Sequence, residues 1–458
     1  MCASIICRGY TLRLIKYEMG THRMKSEEVL SQLPRSLQQQ MRWERYNLVT
    51  KYQRLERDPA FDTRYLPQNS HAFSLPCYWI HKRHLLVFGS GAAAPPLAYL
   101  AHRERSDHLL FPVHPTALSY FTDFLRHANA EDARSDRFTL WAVPSSSTRT
   151  LLAWPDGCPH DAAFLKLSLS SPLFGDRRVL RHRAAKSIGL SAMVENAVPS
   201  LPDSIRYLRE PFAVVPRMAE MSGFIVRVLP SAILNSQCSL VPLFALTGGT
   251  QPLLPAFLAN GSESALDFAQ RILCSSFAEL WLTLTLRAGL LLEAHGQNLL
   301  LEASPDLDPT GVFFYRDFEG FYVDWRLRSS MRDFDTTGAQ LPGCETWWRT
   351  YGSSEMAHPG CLWKKLTNSL AQYTQLVLQE LERDMAPLVK SGLLHGPAIR
   401  EGELTWTFSE AMFAELRRQF GGSIGKTFNI RHFTLRFVRL LMKIRAELLS
   451  RSPINHAS

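Results

Sequence analysis

Two groups of polar residues flank an apolar segment in the second half of the chain, and their side chains suit a metal ion bound to phosphate. The groups comprise Glu293, His295, Gln297 and Asn298 on one side, and Arg316 and Asp317 on the other. Mg²⁺ prefers hard oxygen ligands and is shared with substrate phosphates, so Glu293, Asn298 and Asp317 are the predicted metal ligands. Taken singly, these residues would fit a helix end with a polar loop, and only their grouping favours a metal site.

The elements that must position these residues are a helix and a β-hairpin. Ser275–Ala294 is apolar at helical spacing and predicts a buried helix whose end presents the first group. The leucines after Asn298 predict a short buried strand, and Ser304–Thr310 predicts the turn into a second strand, Gly311–Tyr315. A hairpin of this length would return Asp317 close to Asn298.

A second hairpin is predicted in the first half of the chain, and it carries two cations. Val143–Trp154 and Ala162–Leu169 alternate apolar residues around a Pro-Asp-Gly turn, which is typical of paired antiparallel strands. This pairing would bring Arg149 and Lys166 onto neighbouring strands.

A basic segment, Arg177–Lys186, follows this hairpin. Asp176 could cap a helix that starts at Arg177 and Arg178, and the two guanidinium groups would then lie at the positive end of the helix dipole. An anion would offset that unfavourable placement. A solvated basic helix face or a nucleic-acid patch are the alternatives for the segment by itself, although it lacks the aromatic residues that nucleic-acid patches interleave.

Together these motifs resemble the NRPS-independent siderophore synthetases of the aerobactin-synthetase type, which are ATP-dependent ligases that activate a carboxylate such as citrate. The resemblance rests on LEAHGQNLLLE with FYRDFEG, on STRT with KLSL and an Arg twelve residues after the Lys, and on PVHP at His114. It implies that ATP and the carboxylate are bound by Ser147, Arg149, Lys166, Arg178, His295 and Gln297. It also implies catalytic roles for Arg149, Arg178 and His295, with Mg²⁺ on the three predicted ligands.

The chain departs from the family pattern at two points. Phe174 and Gly175 stand where the family carries a Thr-Ser pair near the carboxylate substrate, so free citrate is expected to be a poor substrate. The family's first His-Pro motif is not found before His114, and the segment there is short, which predicts a reduced N-terminal domain.

Composition places the chain among ordinary globular proteins. Its 458 residues are 46% hydrophobic and 20% charged, with a net charge of +9 that is spread along the chain. Spread charge favours local sites for small anions over a nucleic-acid surface. The eight cysteines form no C-x-x-C pair, so we expect a reduced, cytoplasmic protein without a zinc site. The uncharged segment Val228–Ser262 is interrupted by prolines, and we expect neither a membrane span nor a signal peptide.

These observations predict an α+β protein with three regions. They are a reduced helical N-terminal region (1–107), a fingers-like β-hairpin-rich domain that binds nucleotide and carboxylate (108–240), and a mostly helical palm-like domain with the metal hairpin (241–458). The expected activity is adenylation of a citrate-like carboxylate or citryl derivative and its condensation with an amine, a polyamine or a hydroxyl. The sequence leaves open whether the protein forms a homodimer. The alternatives are a non-catalytic paralogue that binds nucleotide or siderophore intermediates, and a kinase-like phosphotransferase.

Overall fold

The computed structural model of the protein describes seventeen parts of the chain. They are 26–46, 62–69, 71–89, 97–102, 104–169, 180–197, 205–218, 223–247, 253–259, 284, 289–291, 296–320, 322–323, 390–392, 394–400, 403–420 and 426–429.

The strands of these parts are short and belong to five sheets. In chain order they are β1 (Phe73–Ser74), β2 (Cys77–His81), β3 (Leu85–Gly89), β4 (His108–Pro112), β5 (Glu131–Asp132), β6 (Leu140–Pro144), β7 (Thr150–Pro155), β8 (Ala163–Lys166), β9 (Ile205–Tyr207), β10 (Phe212–Pro216), β11 (Phe224–Val228), β12 (Ser239–Pro242), β13 (Leu290–Leu291), β14 (Leu299–Ala303), β15 (Pro309–Tyr315), β16 (Tyr322–Val323), β17 (Leu394–Arg400), β18 (Glu403–Phe408) and β19 (Thr427–Asn429).

The α-helices of the same parts lie before, between and after these strands. They are α1 (Ser26–Ser31), α2 (Arg35–Glu44), α3 (Leu118–His127), α4 (Arg181–Ala197), α5 (Ser231–Leu234), α6 (Phe244–Thr247), α7 (Leu254–Ala259) and α8 (Glu410–Phe420). Pro34 separates α1 from α2, because proline lacks the N–H that a helix interior requires.

The largest sheet has seven strands in the order β1-β6-β7-β8-β11-β10-β3, all paired antiparallel. Every residue of β7 is buried, as expected of a central strand that is covered on both faces. The β7–β8 pairing confirms the hairpin predicted in the first half of the chain. The sheet draws β1 and β3 from residues before 108 and its other strands from later residues, and the division into three regions stays a prediction.

The hairpin predicted in the second half of the chain is β14–β15, and Leu299 pairs with Tyr315. It lies in a four-stranded sheet in the order β12-β14-β15-β9. Its inner leucines and aromatic residues share one core with α2 and with β7, through Leu37, Leu152, Leu300 and Phe314. This shared core fixes the hairpin against the large sheet.

The helix predicted over Ser275–Ala294 is wrong at its C-terminal end. Leu290–Leu291 is a strand that pairs with Tyr322–Val323. Gly289 precedes it with φ of +61°, a left-handed conformation that commonly ends a helix. Apart from Leu284, residues 275–288 lie outside the described parts.

No helix in the described parts is both long and apolar enough to cross a lipid bilayer. The mixed helices and sheets agree with the predicted α+β class. The mostly helical palm-like domain stays a prediction, because much of 241–458 lies outside the described ranges.

Candidate active site

Lys166 is the centre of a buried ion network between the large sheet and the β14–β15 hairpin. It ends β8, its side chain is 2% exposed, and its Nζ lies 2.5 Å from Asp317 Oδ1 and 2.6 Å from Glu319 Oε2. One ammonium group is thus shared by two carboxylates from the turn that follows β15. A buried cation requires such partners, because its desolvation would otherwise be very unfavourable.

Arg149 is held beside Lys166 by strand pairing. Thr150 pairs with Lys166, and the Leu167 N–H donates to the Arg149 carbonyl at 2.8 Å. Arg149 Nη2 donates to Glu319 Oε2 at 2.9 Å, while its Nη1 is buried and has no hydrogen-bond partner within the described parts of the chain. The second guanidinium nitrogen is therefore available to an anionic ligand.

Arg227 is a third cation of this network, and sequence reasoning missed it. It lies on β11 next to β8, and its Nη2 is 2.6 Å from Glu210 Oε1 and 3.9 Å from Asp317 Oδ1. Burial would lower the pKa of Arg227, but the Glu210 and Asp317 carboxylates raise it overall. A charged residue in the apolar run Phe-Ile-Val-Arg-Val is the sequence signal that could have identified it.

The Asp317 carboxyl group is ionised at neutral pH. Burial acts to raise its pKa, but the positive charges of Lys166, Arg227 and Arg149 outweigh burial and lower the pKa to about 2. Its backbone has φ of +82°, and its carbonyl accepts a hydrogen bond from the Tyr315 hydroxyl at 3.1 Å. Asp tolerates this conformation better than most residues, and the bend turns the chain out of β15 into the short helix Phe318–Gly320.

The oxygen donors near Asp317 fit the way in which Mg²⁺ is usually held. The Arg316 N–H donates to the Asn298 carbonyl at 2.9 Å, so Asn298 lies across the hairpin from Arg316, the residue before Asp317. Glu319, which the sequence reasoning missed, adds a second carboxylate two residues after the first. Mg²⁺ binds through one or two carboxylates together with phosphates and water. No group of three or more His, Cys, Asp or Glu within the described parts forms a closed metal cage.

A second buried cluster lies on the other side of Arg316. Its guanidinium forms a two-point ion pair with Glu44 at the end of α2, and its Nε donates to the Gln297 carbonyl at 2.8 Å. Ser146 joins this cluster, because its N–H donates to Glu44 Oε2 at 3.1 Å and its Oγ accepts from Gln297 Nε2 at 3.2 Å. Burial acts to raise the pKa of Glu44, but Arg316 and Ser146 lower it overall.

The loop between β6 and β7 carries the STRT residues. Ser147 Oγ accepts a hydrogen bond from the Thr150 N–H at 3.1 Å, so its hydroxyl also shapes the loop. Thr148 has φ of +63°, is fully buried, and its hydroxyl has no partner among the described residues. A left-handed conformation is strained for a β-branched residue, and such strain is concentrated at functional sites.

The structure thus brings Arg149, Lys166 and Asp317 into one network, and it places Ser147 and Gln297 in or against the loop beside it. The roles predicted for these residues and for Asn298 stay predictions. Glu293, His295 and Arg178 lie outside the described parts, as does Phe174.

His114, in the His-Pro motif, is a buried core residue. Its ring packs edge-on against Tyr65 and Phe73, and its Nδ1 lies 2.8 Å from the Thr116 hydroxyl. Burial lowers the pKa of His114 to about 3, so the ring is neutral at physiological pH.

Three solved structures resemble the chain at low sequence identity. Petrobactin biosynthesis protein AsbB from Bacillus anthracis has a TM-score of 0.54 at 16% identity, over 90% of this chain and 81% of AsbB. Aerobactin synthetase IucC from Klebsiella pneumoniae has a TM-score of 0.46 at 19% identity, over 72% of this chain and 65% of IucC. ATP-bound aerobactin synthetase IucA from Klebsiella pneumoniae has a TM-score of 0.49 at 15% identity, over 88% of this chain and 84% of IucA. The chain therefore spans somewhat less than two thirds of IucC, and the likeness to AsbB supports a shared fold.

Residues 37–248 match the IucA / IucC family. This range contains β1 to β12 and the STRT and KLSL segments. This match supports the resemblance of the motifs to the NRPS-independent siderophore synthetases. No curated protein matches the chain significantly.

Proposed function

We propose that the chain is an ATP-dependent ligase of siderophore biosynthesis, which adenylates a carboxylate and condenses it with an amine or a hydroxyl. The observation that carries the proposal is the buried network in which Arg149, Lys166 and Arg227 face Asp317 and Glu319, in a chain whose residues 37–248 match the IucA / IucC family. The cations of this network can bind the phosphates of a metal-bound triphosphate, and its carboxylates can bind the metal ion.

The cations supply the phosphate-binding side. Arg149 and Lys166 are 6% and 2% exposed, and Arg149 keeps one buried nitrogen without a partner in the described parts of the chain. An unpaired buried N–H is unfavourable, and a phosphate oxygen would satisfy it. Arginine binds phosphate particularly well, because its planar fork can donate two hydrogen bonds to one group. By the family resemblance, Ser147, Arg178 and His295 would complete this side.

The carboxylates supply the metal-binding side. Asp317 and Glu319 would bind Mg²⁺ together with Asn298, and Glu293 joins them by the family resemblance. When bound, the metal would neutralise phosphate charge and stabilise the leaving pyrophosphate. Two carboxylates and an amide leave room for the phosphates and water that Mg²⁺ retains.

Binding would exchange partners inside the network. In the free protein the cations neutralise the carboxylates, at 2.5 to 2.9 Å. With Mg²⁺-ATP present, the cations would turn to phosphate oxygens and the carboxylates to the metal. Because each charge keeps an opposite charge throughout, the site does not expose an unpaired buried charge at any stage.

The chemistry would proceed in two steps. A carboxylate oxygen of the substrate attacks the α-phosphorus of ATP, a new C–O–P linkage forms, and pyrophosphate leaves. Arg149, Lys166 and Arg178 would stabilise the charge that develops on the phosphates. An amine or hydroxyl then attacks the acyl carbon and AMP leaves, while His295 or water takes the proton of the nucleophile.

The proposal includes small-molecule substrates and a cytoplasmic location, without a nucleic-acid or membrane partner. The cysteines of the described parts, Cys77, Cys158 and Cys238, are all free thiols, which agrees with a reducing compartment. Homodimer formation is a further proposal, which gel filtration with light scattering would test.

Product analysis tests the function. The protein is incubated with Mg²⁺-ATP, a panel of carboxylic acids and a polyamine, and pyrophosphate, AMP and ADP are quantified. Pyrophosphate with AMP supports adenylation, and Lys166→Met is expected to abolish it. ADP would instead indicate phosphotransfer, and binding of Mg²⁺-ATP without turnover would indicate a non-catalytic paralogue. Glu131→Gln, which changes an exposed ion pair with Arg105, is the matched control.

A further inference from the structure

Glu44 is a fully buried carboxylate in a position that its own helix does not favour. It is the last residue of α2, and its side chain is 0% exposed. The C-terminal end of a helix carries partial negative charge, so an anionic side chain is unfavourable there. Helix α2 therefore gains nothing from an acid at this position, and the reason for Glu44 must lie in what it contacts.

Its contacts join three segments that are distant in the sequence. Glu44 Oε2 accepts from the Ser146 N–H at 3.1 Å and from Arg316 Nη2 at 3.0 Å, and Oε1 accepts from Arg316 Nη1. Arg316 in turn donates to the Gln297 carbonyl at 2.8 Å and to Ser146 Oγ at 3.4 Å. Helix α2, the STRT loop and the β14–β15 hairpin thus meet at one ion pair.

The STRT loop and both strands of the hairpin also lead directly to the candidate active site. Ser146 is three residues before Arg149, and Arg316 immediately precedes Asp317. Gln297 immediately precedes Asn298, a predicted metal ligand. The Glu44–Arg316 pair therefore links the loop that carries Arg149 to the carboxylates that follow β15.

We propose that Glu44 is a positioning residue of the nucleotide site, acting through Arg316 and Ser146 to hold the STRT loop against the β14–β15 hairpin. In this role the Glu44 carboxylate would act through its protein partners and not by contact with the substrate. Helix α2 then helps to set the geometry of the nucleotide site. The expected effect on Mg²⁺-ATP binding rests on the proposed function, whereas the expected effect on hydrogen exchange in the STRT loop does not.

The first test uses Glu44→Gln, with Phe124→Leu as the control. Phe124 is also buried on a helix, α3, but it packs against Phe111 in a core that includes no residue of α2 or of the β14–β15 hairpin. We expect Glu44→Gln to increase hydrogen exchange of the Ser145–Thr150 amides at least tenfold. We expect it to weaken Mg²⁺-ATP binding on the order of 10- to 100-fold, as loss of supporting residues around metal sites commonly does. Phe124→Leu should lower the melting temperature and leave loop exchange and Mg²⁺-ATP affinity unchanged.

The second test separates positioning from stability. Replacing both members of a buried ion pair by apolar residues often restores stability, so Glu44→Met with Arg316→Met should fold with a near-native melting temperature. A purely structural pair predicts that nucleotide affinity returns with stability. Our proposal predicts that loop exchange stays fast and affinity stays low. Glu44→Asp, which keeps the charge, should be intermediate and provides the readout if the double variant does not fold.

The outcomes distinguish this inference from the function on which it partly rests. Wild-type loop exchange and affinity in both Glu44→Gln and the double variant would overturn the positioning role and leave the proposed function standing. If the wild type does not bind Mg²⁺-ATP, the proposed function fails, and the exchange of Ser145–Thr150 alone decides the role of Glu44.

Discussion

Asp317→Asn is the most informative single change, because it removes one charge from the ion network and keeps the size of the side chain. Lys166 would still have Glu319 at 2.6 Å, so no isolated buried charge results. We expect the variant to fold, to lose stability, and to alter ATP binding in opposite directions with and without Mg²⁺.

The loss of stability follows from the pKa of Asp317. Its neighbours lower the pKa from 3.8 to about 2, and one pKa unit corresponds to about 1.4 kcal/mol. The expected loss in the free energy of unfolding is therefore about 2 kcal/mol at pH 7. Because the folded pKa is the lower one, this contribution is fully present above about pH 4 and disappears as the pH falls towards 2. Wild type and variant should thus converge in acid.

The two nucleotide affinities should change with opposite sign. Loss of a metal ligand should weaken Mg²⁺-ATP binding on the order of 10- to 100-fold. The variant should bind metal-free ATP more tightly than the wild type does. One negative charge no longer faces the phosphates, and Lys166 has fewer competing partners. Isothermal titration calorimetry in Mg²⁺ and in EDTA measures both affinities, and urea denaturation from pH 2 to 7 measures stability.

Asp308→Asn is the control, since Asp308 is exposed in the turn of the same hairpin. If Asp317→Asn matches Asp308→Asn in stability and in both affinities, Asp317 neither pairs with Lys166 as described nor binds the metal.

Three further predictions concern other residues. Thr148→Gly should leave the free energy of unfolding within about 1 kcal/mol of wild type, because relief of the strained φ of +63° offsets the added flexibility of glycine. The variant should also bind ATP more weakly. A loss of stability well above about 1 kcal/mol in denaturant titrations would contradict the strain argument. His114→Gln should remove a pH dependence of the free energy of unfolding. The folded pKa of His114 is about 3, so the buried neutral ring stabilises the fold fully only above about pH 6.5. From pH 7 to 5 the wild type should lose about 2 kcal/mol of stability relative to the variant, and parallel curves of stability against pH would contradict the prediction. Phe174→Thr should increase pyrophosphate release with citrate, because a hydroxyl would replace an apolar wall; free citrate as the best wild-type substrate, with no gain in the variant, would show that Phe174 does not line the carboxylate pocket.

The sequence predicts those parts of the site that depend on local patterns. Alternating apolar residues around Pro-Asp-Gly predict the β7–β8 hairpin, and the structure confirms that it brings Arg149 beside Lys166. The leucine run and the Pro- and Asp-rich turn predict the β14–β15 hairpin in the same way. Both hairpins join neighbouring segments, so their pairing follows from residues within about twenty positions of each other.

Local patterns fail where a partner lies far away in the chain. Leu290–Leu291 looks helical from its neighbours, but it pairs as a strand with Tyr322–Val323. Glu319 looks like an ordinary exposed residue after the Arg-Asp pair, but it lies against Lys166 and Arg149. Periodicity reports which face of a segment is apolar, and it does not report which distant segment will cover that face.

The sequence by itself determined the two hairpins and the types of the charged residues that they carry. Only the tertiary structure decided how those charges are paired. Glu44 and Arg316 are 272 positions apart, and Lys166 and Asp317 are 151 apart. The physical reason is that a buried charge requires an opposite charge, while several residues of the right sign are present in the chain. Packing of α2 and of the β14–β15 hairpin in one apolar core selects which of them meet.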